Sequence, residues 1–396
     1  MQQLTGSIRA YPWGSRTLLA GLRGEESSDD REAELWYGAH PGSPSYLGDK
    51  PLDETLTAAS VGARVEEQFG IALPFLLKIL AADEPLSLQA HPTKQQAEAG
   101  FALEESAGID CSASNRNYKD PNHKPELIVA LTEFSALAGF RPLEKTRELF
   151  AALDCPELFR YLTVIDDDPE HEEANLRALF TTWITIPAAA RGPLIEAVLS
   201  CARDYVARED AEEWIKDALL NVIALGQRYP TDIGVLGALL LNKVNLAPGQ
   251  ALYLGAGQLH AYMHGMGVEI MANSDNVLRG GLTSKYVDVP ELVKVLDFHS
   301  LEDPQVEVSH AGVRTDYPCP AQEYHLSRYQ LDAGESVTFD HDGPAVILAV
   351  RGVTVASQAE HTEEISATQA LWVPADDPAI ELRGRDGAVE FFIAQA

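Results

Sequence analysis

The sequence predicts a mainly β protein with one helical insertion. Short apolar runs separated by Gly and Pro fill residues 1–142 and return over residues 227–305. Between them, residues 143–226 carry apolar side chains at spacings of three and four, the period of helices with one buried face. Over residues 306–396, apolar and polar residues alternate and turns recur at intervals of roughly ten residues, a pattern typical of antiparallel sandwiches and barrels.

The charge of the chain limits the partners that we expect. Its 396 residues include 30 Lys and Arg against 60 Asp and Glu, which gives a formal net charge of −30 at pH 7. Nucleic-acid backbones and anionic lipids repel such a polyanion, so neither nucleic acid nor membrane is an expected partner. No apolar run reaches the ~18 residues of a membrane-spanning helix, and the first residues lack a signal peptide's basic and apolar regions. We therefore expect a cytoplasmic protein.

In the first part of the chain, residues 86–90 and 126–131 have the composition of strands. Residues i and i+2 of a strand face the same side, so Gln89 and His91 can point into one cavity. Imidazole nitrogen and amide oxygen suit a divalent first-row metal. A Q-x-H pair also occurs on ordinary packed or exposed strands, and the pair alone does not separate the two interpretations.

The helical block and the strands after it carry their own boundary signals. Pro193 is expected in the first turn of a helix, where its missing N–H is tolerated, and Gly226 is expected to cap a helix C-terminus. A Pro-Gly turn at residues 248–249 then precedes a short strand and a Gly-rich bend that leads to His260. A similar Ala-Gly turn at residues 333–334 suggests two related β-barrels.

A dense group of polar residues precedes the strand at 126–131. The segment YKDPNHKPE, residues 118–126, contains Asp120, His123, Lys124 and Glu126. Glu126 opens the apolar run ELIVAL, so its carboxylate lies at the end of a buried strand and requires a compensating charge or a metal. An exposed polar loop that caps the strand explains the same residues equally well.

A third polar segment, residues 260–288, contains Glu269, Asp275, Arg279 and Lys285. An arginine in such a segment can stabilise an oxyanion, and a lysine can bind phosphate as a point charge. A salt-bridged surface loop is the alternative interpretation of this segment.

Four residues from three distant segments together form a ligand set of two imidazoles, an amide and a carboxylate: Gln89, His91, Glu126 and His260. Such a set can hold zinc and leave a coordination position for water or substrate. The four cysteines form no C-x-x-C pair, so neither a disulfide framework nor a thiolate site is expected. Cations near the set suggest a small anionic substrate, most simply a phosphate; they are Lys78, Lys94, Lys124, Arg279 and Lys285. No P-loop, dinucleotide fingerprint or nucleophile elbow is present.

Four motifs give the chain a specific resemblance. They are AYPWGS at 10–15, PLSLQAHP at 85–92, YKDPNHKPE at 118–126, and the long segment 260–288. The third fits the signature Y-x-D-x-N-H-K-P-E at every fixed position, and with these motifs the chain resembles type I mannose-6-phosphate isomerases of the cupin superfamily. The one clear departure in the long segment is Ser284, where the family usually has Pro, and it removes no functional group.

The resemblance implies two cupin-type β-barrels (jelly roll) and an α-helical domain. Residues 1–142 and 227–305 would form a discontinuous catalytic barrel, 143–226 the helical insertion, and 306–396 a C-terminal barrel without a metal site. The implied reaction interconverts mannose 6-phosphate and fructose 6-phosphate through a cis-enediol, with one zinc ion per chain. The implied partner is a small phosphorylated sugar, and we expect a monomer or a weak homo-oligomer.

The resemblance also implies roles for individual residues. Zinc would be held by Gln89, His91, Glu126 and His260. Arg279 would stabilise the enediolate, and Lys124 would assist ring opening or charge control. Glu269 and Asp275 are candidates for proton transfer, and a metal-bound water is an equal candidate for the base. Substrate contacts are expected from Ser87, Lys94, Lys285, Tyr262 and Trp13.

Three other functions stay open on the sequence alone. A cupin oxygenase would need an open iron site, typically with more imidazole than this set offers. A sugar-binding regulator would have lost the chemistry, which the intact ligand set and cations argue against. An isomerase with the same mechanism but another sugar phosphate, or a free aldose, would carry the same motifs.

Overall fold

The computed structural model describes residues 1–166 and 168–396. Its strands are β1 (Gln2–Leu4), β2 (Ser7–Arg9), β3 (Glu34–Gly38), β4 (Tyr46–Leu47), β5 (Lys50–Pro51), β6 (Phe75–Ala82), β7 (Leu88–Ala90), β8 (Glu126–Ala130), β9 (Phe134–Phe140), β10 (Leu241–Leu246), β11 (Ala251–Leu254), β12 (His260–Ala272), β13 (Leu278–Gly281), β14 (Ser309–Ala311), β15 (Arg314–Asp316), β16 (His325–Leu331), β17 (Ser336–Phe339), β18 (Ala345–Arg351), β19 (Val353–Gln358), β20 (His361–Ser366), β21 (Ala370–Val373), β22 (Ile380–Gly384) and β23 (Val389–Gln395). Its α-helices are α1 (Leu18–Leu22), α2 (Ala58–Val61), α3 (Ala63–Phe69), α4 (Lys94–Ser106), α5 (Leu143–Leu153), α6 (Pro156–Leu162), α7 (Glu172–Ile184), α8 (Ala188–Val206), α9 (Glu213–Arg228), α10 (Gly234–Gly237) and α11 (Val289–Val295). Short 3₁₀ helices cover Leu52–Glu54, Pro169–His171 and Ala238–Leu240.

Two antiparallel sheets share the long strand β12 and form the centre of the molecule. Residues 265–272 of β12 lie in a first sheet with the order β2-β3-β6-β12-β8-β11. Residues 260–264 lie in a second sheet with the order β10-β9-β12-β7-β13. The strand changes sheet at Gly265, whose φ is 119° and where a Cβ would lie 2.6 Å from the carbonyl oxygen of Glu133. Only glycine meets both conditions without strain.

The two faces of the first sheet differ because successive side chains of a strand point to opposite sides. Leu77 and Ile79 of β6 pack in one apolar cluster with Val346 and Phe392 of the C-terminal part. The opposite face carries Lys78, whose register partners are Trp36 on β3 and Glu269 on β12. This second face therefore brings polar groups into the interior, and the candidate site forms there.

The C-terminal part is a sandwich of two antiparallel sheets. A seven-stranded sheet has the order β1-β21-β18-β23-β16-β15-β14, and a four-stranded sheet has the order β17-β22-β19-β20. Ile347, Ile365 and Phe391 belong to the apolar cluster of this sandwich. The first strand of the chain joins the C-terminal sheet, because Gln2–Leu4 pairs with β21. The division at residues 142, 226 and 305 stays a prediction.

The helical block is confirmed, but two of its predicted signals are wrong. α5 to α9 fill residues 143–228 apart from short connections and share one apolar core. Pro193 lies inside α8 and not in its first turn, because Ala188–Ala190 extend the helix towards the N-terminus. Gly226 lies inside α9, where a Cβ would be 2.4 Å from Leu199 Cδ1. This glycine allows α8 and α9 to approach closely and caps nothing.

The antiparallel sheets are confirmed, whereas the two closed barrels stay a prediction, because the described strands pair in open, branched orders. Among the described residues, no single helix is long and apolar enough to cross a membrane. Two consecutive helical segments, Pro169–Ile184 and Ala188–Val206, are long and apolar enough only when taken together, and a bend of 114° separates them.

Candidate metal centre and active site

Three side chains form a row across the second sheet. His260 on β12 is the register partner of Gln89 on β7, and Gln89 is the partner of Arg279 on β13. Directly opposite residues on adjacent strands project from the same face, with Cβ atoms about 5 Å apart. On the other side of His260 the register partner is Ala138, which is fully buried. The sheet register therefore aligns an imidazole, an amide and a guanidinium.

Two histidines converge on one buried carboxylate. His91 Nε2 lies 3.4 Å from Glu126 Oε1, and His260 Nε2 lies 3.5 Å from Glu126 Oε2. The two imidazole centroids are 5.1 Å apart. One ligand atom from each residue lies within 4.8 Å of the others, and all three residues are buried. This spacing suits ligands of a single metal ion.

Backbone carbonyls orient both imidazoles. His91 Nδ1 contacts the carbonyl oxygen of Asn276 at 2.7 Å, and His260 Nδ1 contacts that of Gln258 at 2.9 Å. A carbonyl only accepts, so each Nδ1 carries the proton and each Nε2 presents a lone pair to the centre. His91 Nε2 is fully buried without a hydrogen-bond partner. An orphaned nitrogen beside a carboxylate fits a divalent metal, and two imidazoles with a carboxylate are ligands that zinc takes in proteins.

The electrostatic surroundings keep these groups ready to bind a cation. Burial lowers the pKa of His91 to about 4, so its imidazole is neutral near pH 7. Burial would raise the pKa of Glu126, but Lys124, at 3.2 Å, and the two histidines hold it well below the usual range. The carboxylate is therefore ionised although only 4% of the residue is exposed. A neutral imidazole and an ionised carboxylate are the states that bind metal.

A buried asparagine shapes residues 118–126, which we call the signature loop. Asn276 Nδ2 donates to the carbonyl oxygens of Asp120 at 2.7 Å and Asn122 at 2.8 Å, and its Oδ1 accepts from the Lys119 N–H at 2.7 Å. The same residue's backbone carbonyl orients His91. One residue thus links the segment after β12 to both ligand-bearing loops.

A buried ionic network adjoins the metal centre. Lys78 Nζ lies 2.9 Å from Glu269 Oε2 and 3.4 Å from Glu34 Oε1. The Tyr262 hydroxyl donates to Glu269 Oε1 at 2.8 Å, and Trp36 Nε1 donates to Glu34 Oε2 at 2.9 Å. Burial would lower the pKa of Lys78, but the two carboxylates raise it well above its usual value. Burial raises the pKa of Glu269, and Lys78 opposes that shift.

A cationic group lies at the other end of the row. Arg279 is half-buried, and burial lowers its pKa. Burial and then the positive charges of Arg279 and Lys119 lower the pKa of Lys285, so the three groups lie within electrostatic reach of each other. Repelling cations in a strongly acidic chain indicate a site for an anion.

The other predicted residues occupy different positions around the site. The Asp275 side chain is exposed, with Oδ1 3.7 Å from Nε2 of the buried His40. The exposed Lys94 donates to the carbonyl oxygen of Pro121 and to Asn122 Oδ1, both at 2.9 Å, so its amine contacts the signature loop. Ser87 is half-buried, and Trp13 packs against the cluster that contains Tyr262.

Sequence reasoning missed four residues of this region: Glu34, His40, Lys119 and Asn276. Glu34 is a charged residue that opens the fully buried strand ELWYG, and this is the kind of signal that singled out Glu126. His40 follows the same strand. Asn276 offers no signal in isolation, because its partners lie more than 150 residues away.

Comparison with known proteins places the chain in a family. Residues 1–143 match the model of the phosphomannose isomerase type I catalytic domain. The chain is 36% identical to mannose-6-phosphate isomerase of Escherichia coli (strain K12) over 97% of both chains, and 34% identical to mannose-6-phosphate isomerase 1 of Arabidopsis thaliana over 95% of this chain and 90% of that one. A crystal structure of zinc-bound mannose 6-phosphate isomerase superposes with a TM-score of 0.87 at 33% identity, over 100% of this chain and 99% of that one.

These matches extend over nearly the full chain, and they agree with the motifs at 10–15, 85–92, 118–126 and 260–288. The expected resemblance is therefore confirmed, and the chain belongs to the type I mannose-6-phosphate isomerase family.

Proposed function

We propose that this chain interconverts mannose 6-phosphate and fructose 6-phosphate with one zinc ion. The observation that carries the proposal is the convergence of His91 and His260 on the buried Glu126, beside the row of Gln89 and Arg279. The family relatives bear the name of this reaction, and the zinc-bound relative supports the choice of metal. The alternative oxygenase and regulator functions have no comparable support.

The metal would be held by Gln89, His91, Glu126 and His260. When bound, zinc supplies a Lewis acid that polarises a sugar oxygen and neutralises developing negative charge. The protein's own contribution is to hold both Nε2 atoms towards one point, through the carbonyls of Asn276 and Gln258.

Two cations of the chain would stabilise the enediolate that forms during isomerisation. Arg279 stands beside Gln89 in the sheet, and Lys124 Nζ lies 3.2 Å from Glu126 Oε1. Lys124 is held by Glu126 before substrate arrives, so it would stabilise negative charge without a large reorganisation cost. Lys124 would also protonate or hold the ring oxygen during opening.

Glu269 would carry the proton between carbon 2 and carbon 1. Its pKa is raised by burial, which suits a carboxylate that must both take and return a proton. Lys78 and the Tyr262 hydroxyl each bind one of its oxygens and would hold it against the substrate. Asp275, exposed and next to His40, is the second candidate, and we assign it to proton exchange at the mouth of the site.

The substrate phosphate would bind at the cationic end of the row. Lys285 and Arg279 were expected to contact an anion, and Lys119 belongs to the same group. We propose that Lys285 and Lys119 replace part of the phosphate's hydration, whereas Lys94 holds the signature loop. Ser87, Trp13 and Tyr262 would line the sugar side.

The test is fructose 6-phosphate formation from mannose 6-phosphate before chelation, after chelation, and after zinc is added back. The proposal predicts that activity disappears with the metal and returns with zinc. A zinc-loaded protein that converts another aldose phosphate but leaves mannose 6-phosphate unchanged would disprove the substrate. Full activity in a protein shown to be metal-free would disprove the role of the metal.

A further inference from the structure

The segment that joins β15 to β16 in the C-terminal sandwich reaches the signature loop at two points. His123 Nε2 forms a close ion pair with Glu323 Oε1. The Tyr324 hydroxyl donates to the carbonyl oxygen of Pro125 at 3.2 Å, and Tyr324 is 4% exposed. Lys124 lies between these two points. The C-terminal part therefore touches the residues on both sides of the lysine that faces the metal centre.

These two contacts restrain Lys124 and Glu126, because both residues adjoin Pro125 in the chain. Lys124 Nζ lies 3.2 Å from Glu126 Oε1, and Glu126 is the carboxylate on which both candidate histidine ligands converge. Because Pro125 is the residue between them, its carbonyl contact limits the movement of Lys124 and Glu126 together. His123 fixes the loop one residue earlier. Displacements of about 1 Å in such groups are enough to impair catalysis strongly.

The electrostatics of the Glu323–His123 pair strengthen this contact. Glu323 is buried enough that burial alone would raise its pKa, but the hydrogen bond and charge of His123 hold that pKa below the usual range. Ionised and accepting from an imidazole, Glu323 makes a charge-assisted bond, which is stronger than a neutral one.

We propose that Glu323 and Tyr324 are positioning residues for Lys124 and Glu126. The C-terminal sandwich would then complete the metal centre that the first and second sheets form. The expected effect on turnover rests on the proposed function. The expected effect on zinc affinity rests on the metal site alone. It assigns the C-terminal part a task in the reaction although the predicted ligands all lie outside it.

The chain provides a matched control. Tyr317 lies in the same segment, is 1% exposed, and donates from its hydroxyl to the carbonyl oxygen of Gly249 at 3.1 Å. Tyr317→Phe therefore removes a hydroxyl bond of a buried tyrosine between the same two parts. That bond lies near the end of β8 opposite Glu126, because the Gly249 N–H donates to the Ala130 carbonyl. Tyr324→Phe removes only the hydroxyl, and Glu323→Gln keeps an acceptor for His123 that Glu323→Ala lacks.

The experiment measures three quantities for each variant of the full chain: the zinc dissociation constant by chelator competition, kcat and KM for mannose 6-phosphate, and the midpoint of thermal unfolding. For Glu323→Ala and Tyr324→Phe we expect the zinc dissociation constant to rise and kcat to fall, each about tenfold, the scale of changes around a metal's ligands. KM should change little, because Lys285 lies on another segment and the backbone of Lys119 is held separately by Asn276 Oδ1. Glu323→Gln should recover most of the loss, and Tyr317→Phe should change only the unfolding midpoint.

Two results would overturn the proposal. In the first, Glu323→Ala and Tyr324→Phe lower the unfolding midpoint while zinc affinity and kcat equal those of the parent chain. In the second, Tyr317→Phe weakens zinc binding and kcat as much as the other variants. Zinc affinity is measured without substrate, so an inactive parent chain would disprove the proposed function and still leave the positioning role decided by the binding data.

Discussion

At the scale of single residues, the site contains a buried imidazole nitrogen without a hydrogen bond and cations without a paired carboxylate among the described residues. His91 Nε2 is buried without a hydrogen bond, while its Nδ1 is held by the carbonyl of Asn276. An unsatisfied buried nitrogen normally costs about 1–3 kcal/mol, so its retention is explained by a ligand that the centre is built to accept. Burial and then the charge of Arg279 lower the pKa of Lys285, and among the described residues no carboxylate forms an ion pair with either side chain.

Substitutions of Arg279 and Glu269 distinguish a role in catalysis from a role in metal binding. We expect Arg279→Ala to lower kcat by about 100-fold through loss of a fixed cation, and Glu269→Gln by at least about 100-fold through loss of the proton carrier. Zinc content should stay at the parent level in both, because neither residue is a proposed ligand. Steady-state kinetics and metal analysis of the same preparations measure this.

Arg383→Ala, an exposed arginine on β22, serves as the control for charge removal and should behave as the parent chain. Loss of zinc from Arg279→Ala would mean that Arg279 supports the metal site and not the reaction. Unchanged turnover in Glu269→Gln would transfer the proton-carrying role to Asp275 or to another group.

At the scale of elements, the shared strand β12 determines where the site lies. Its first half presents His260 in the second sheet, and its second half presents Glu269 in the first sheet. The change of sheet at Gly265 therefore puts a proposed ligand and the proposed proton carrier in two adjoining sheets on one strand. Sequence patterns identified both residues. The bend could not be predicted in the same way, because it depends on the close approach of Gly265 to the backbone of Glu133, which is distant in sequence.

The bend is open to a direct test. We expect Gly265→Ala to lower the free energy of unfolding by about 3 kcal/mol, since it combines a strained positive φ with a Cβ 2.6 Å from a backbone oxygen. Gly21→Ala in α1 is the control, because a Cβ there meets no atom within 4 Å. Denaturant unfolding of the two variants measures the difference. Equal stability of the two would show that β12 accommodates a side chain at the bend.

At the scale of the whole molecule, the sequence predicted what short motifs determine and missed what distant contacts determine. The helical block, the antiparallel sheets and the family followed from periodicity and from motifs such as residues 118–126. The pairing of β1 with β21 and the approach of Leu199 to Gly226 arise between segments with no local signal. The role of His40 was missed because its partner Asp275 lies in a distant segment, whereas Glu34 carried the same signal as Glu126, a charged residue that opens a buried strand.

In the proposed function, the metal held by the predicted ligands is required for the isomerisation. The most direct measurement is zinc content together with the rate of fructose 6-phosphate formation in the parent chain, His260→Ala and His264→Ala. His264 is an exposed histidine four residues along the same strand and serves as the matched control. We predict one zinc ion and full activity in the parent chain and His264→Ala, and loss of both in His260→Ala. Full activity in zinc-free His260→Ala would contradict the claim.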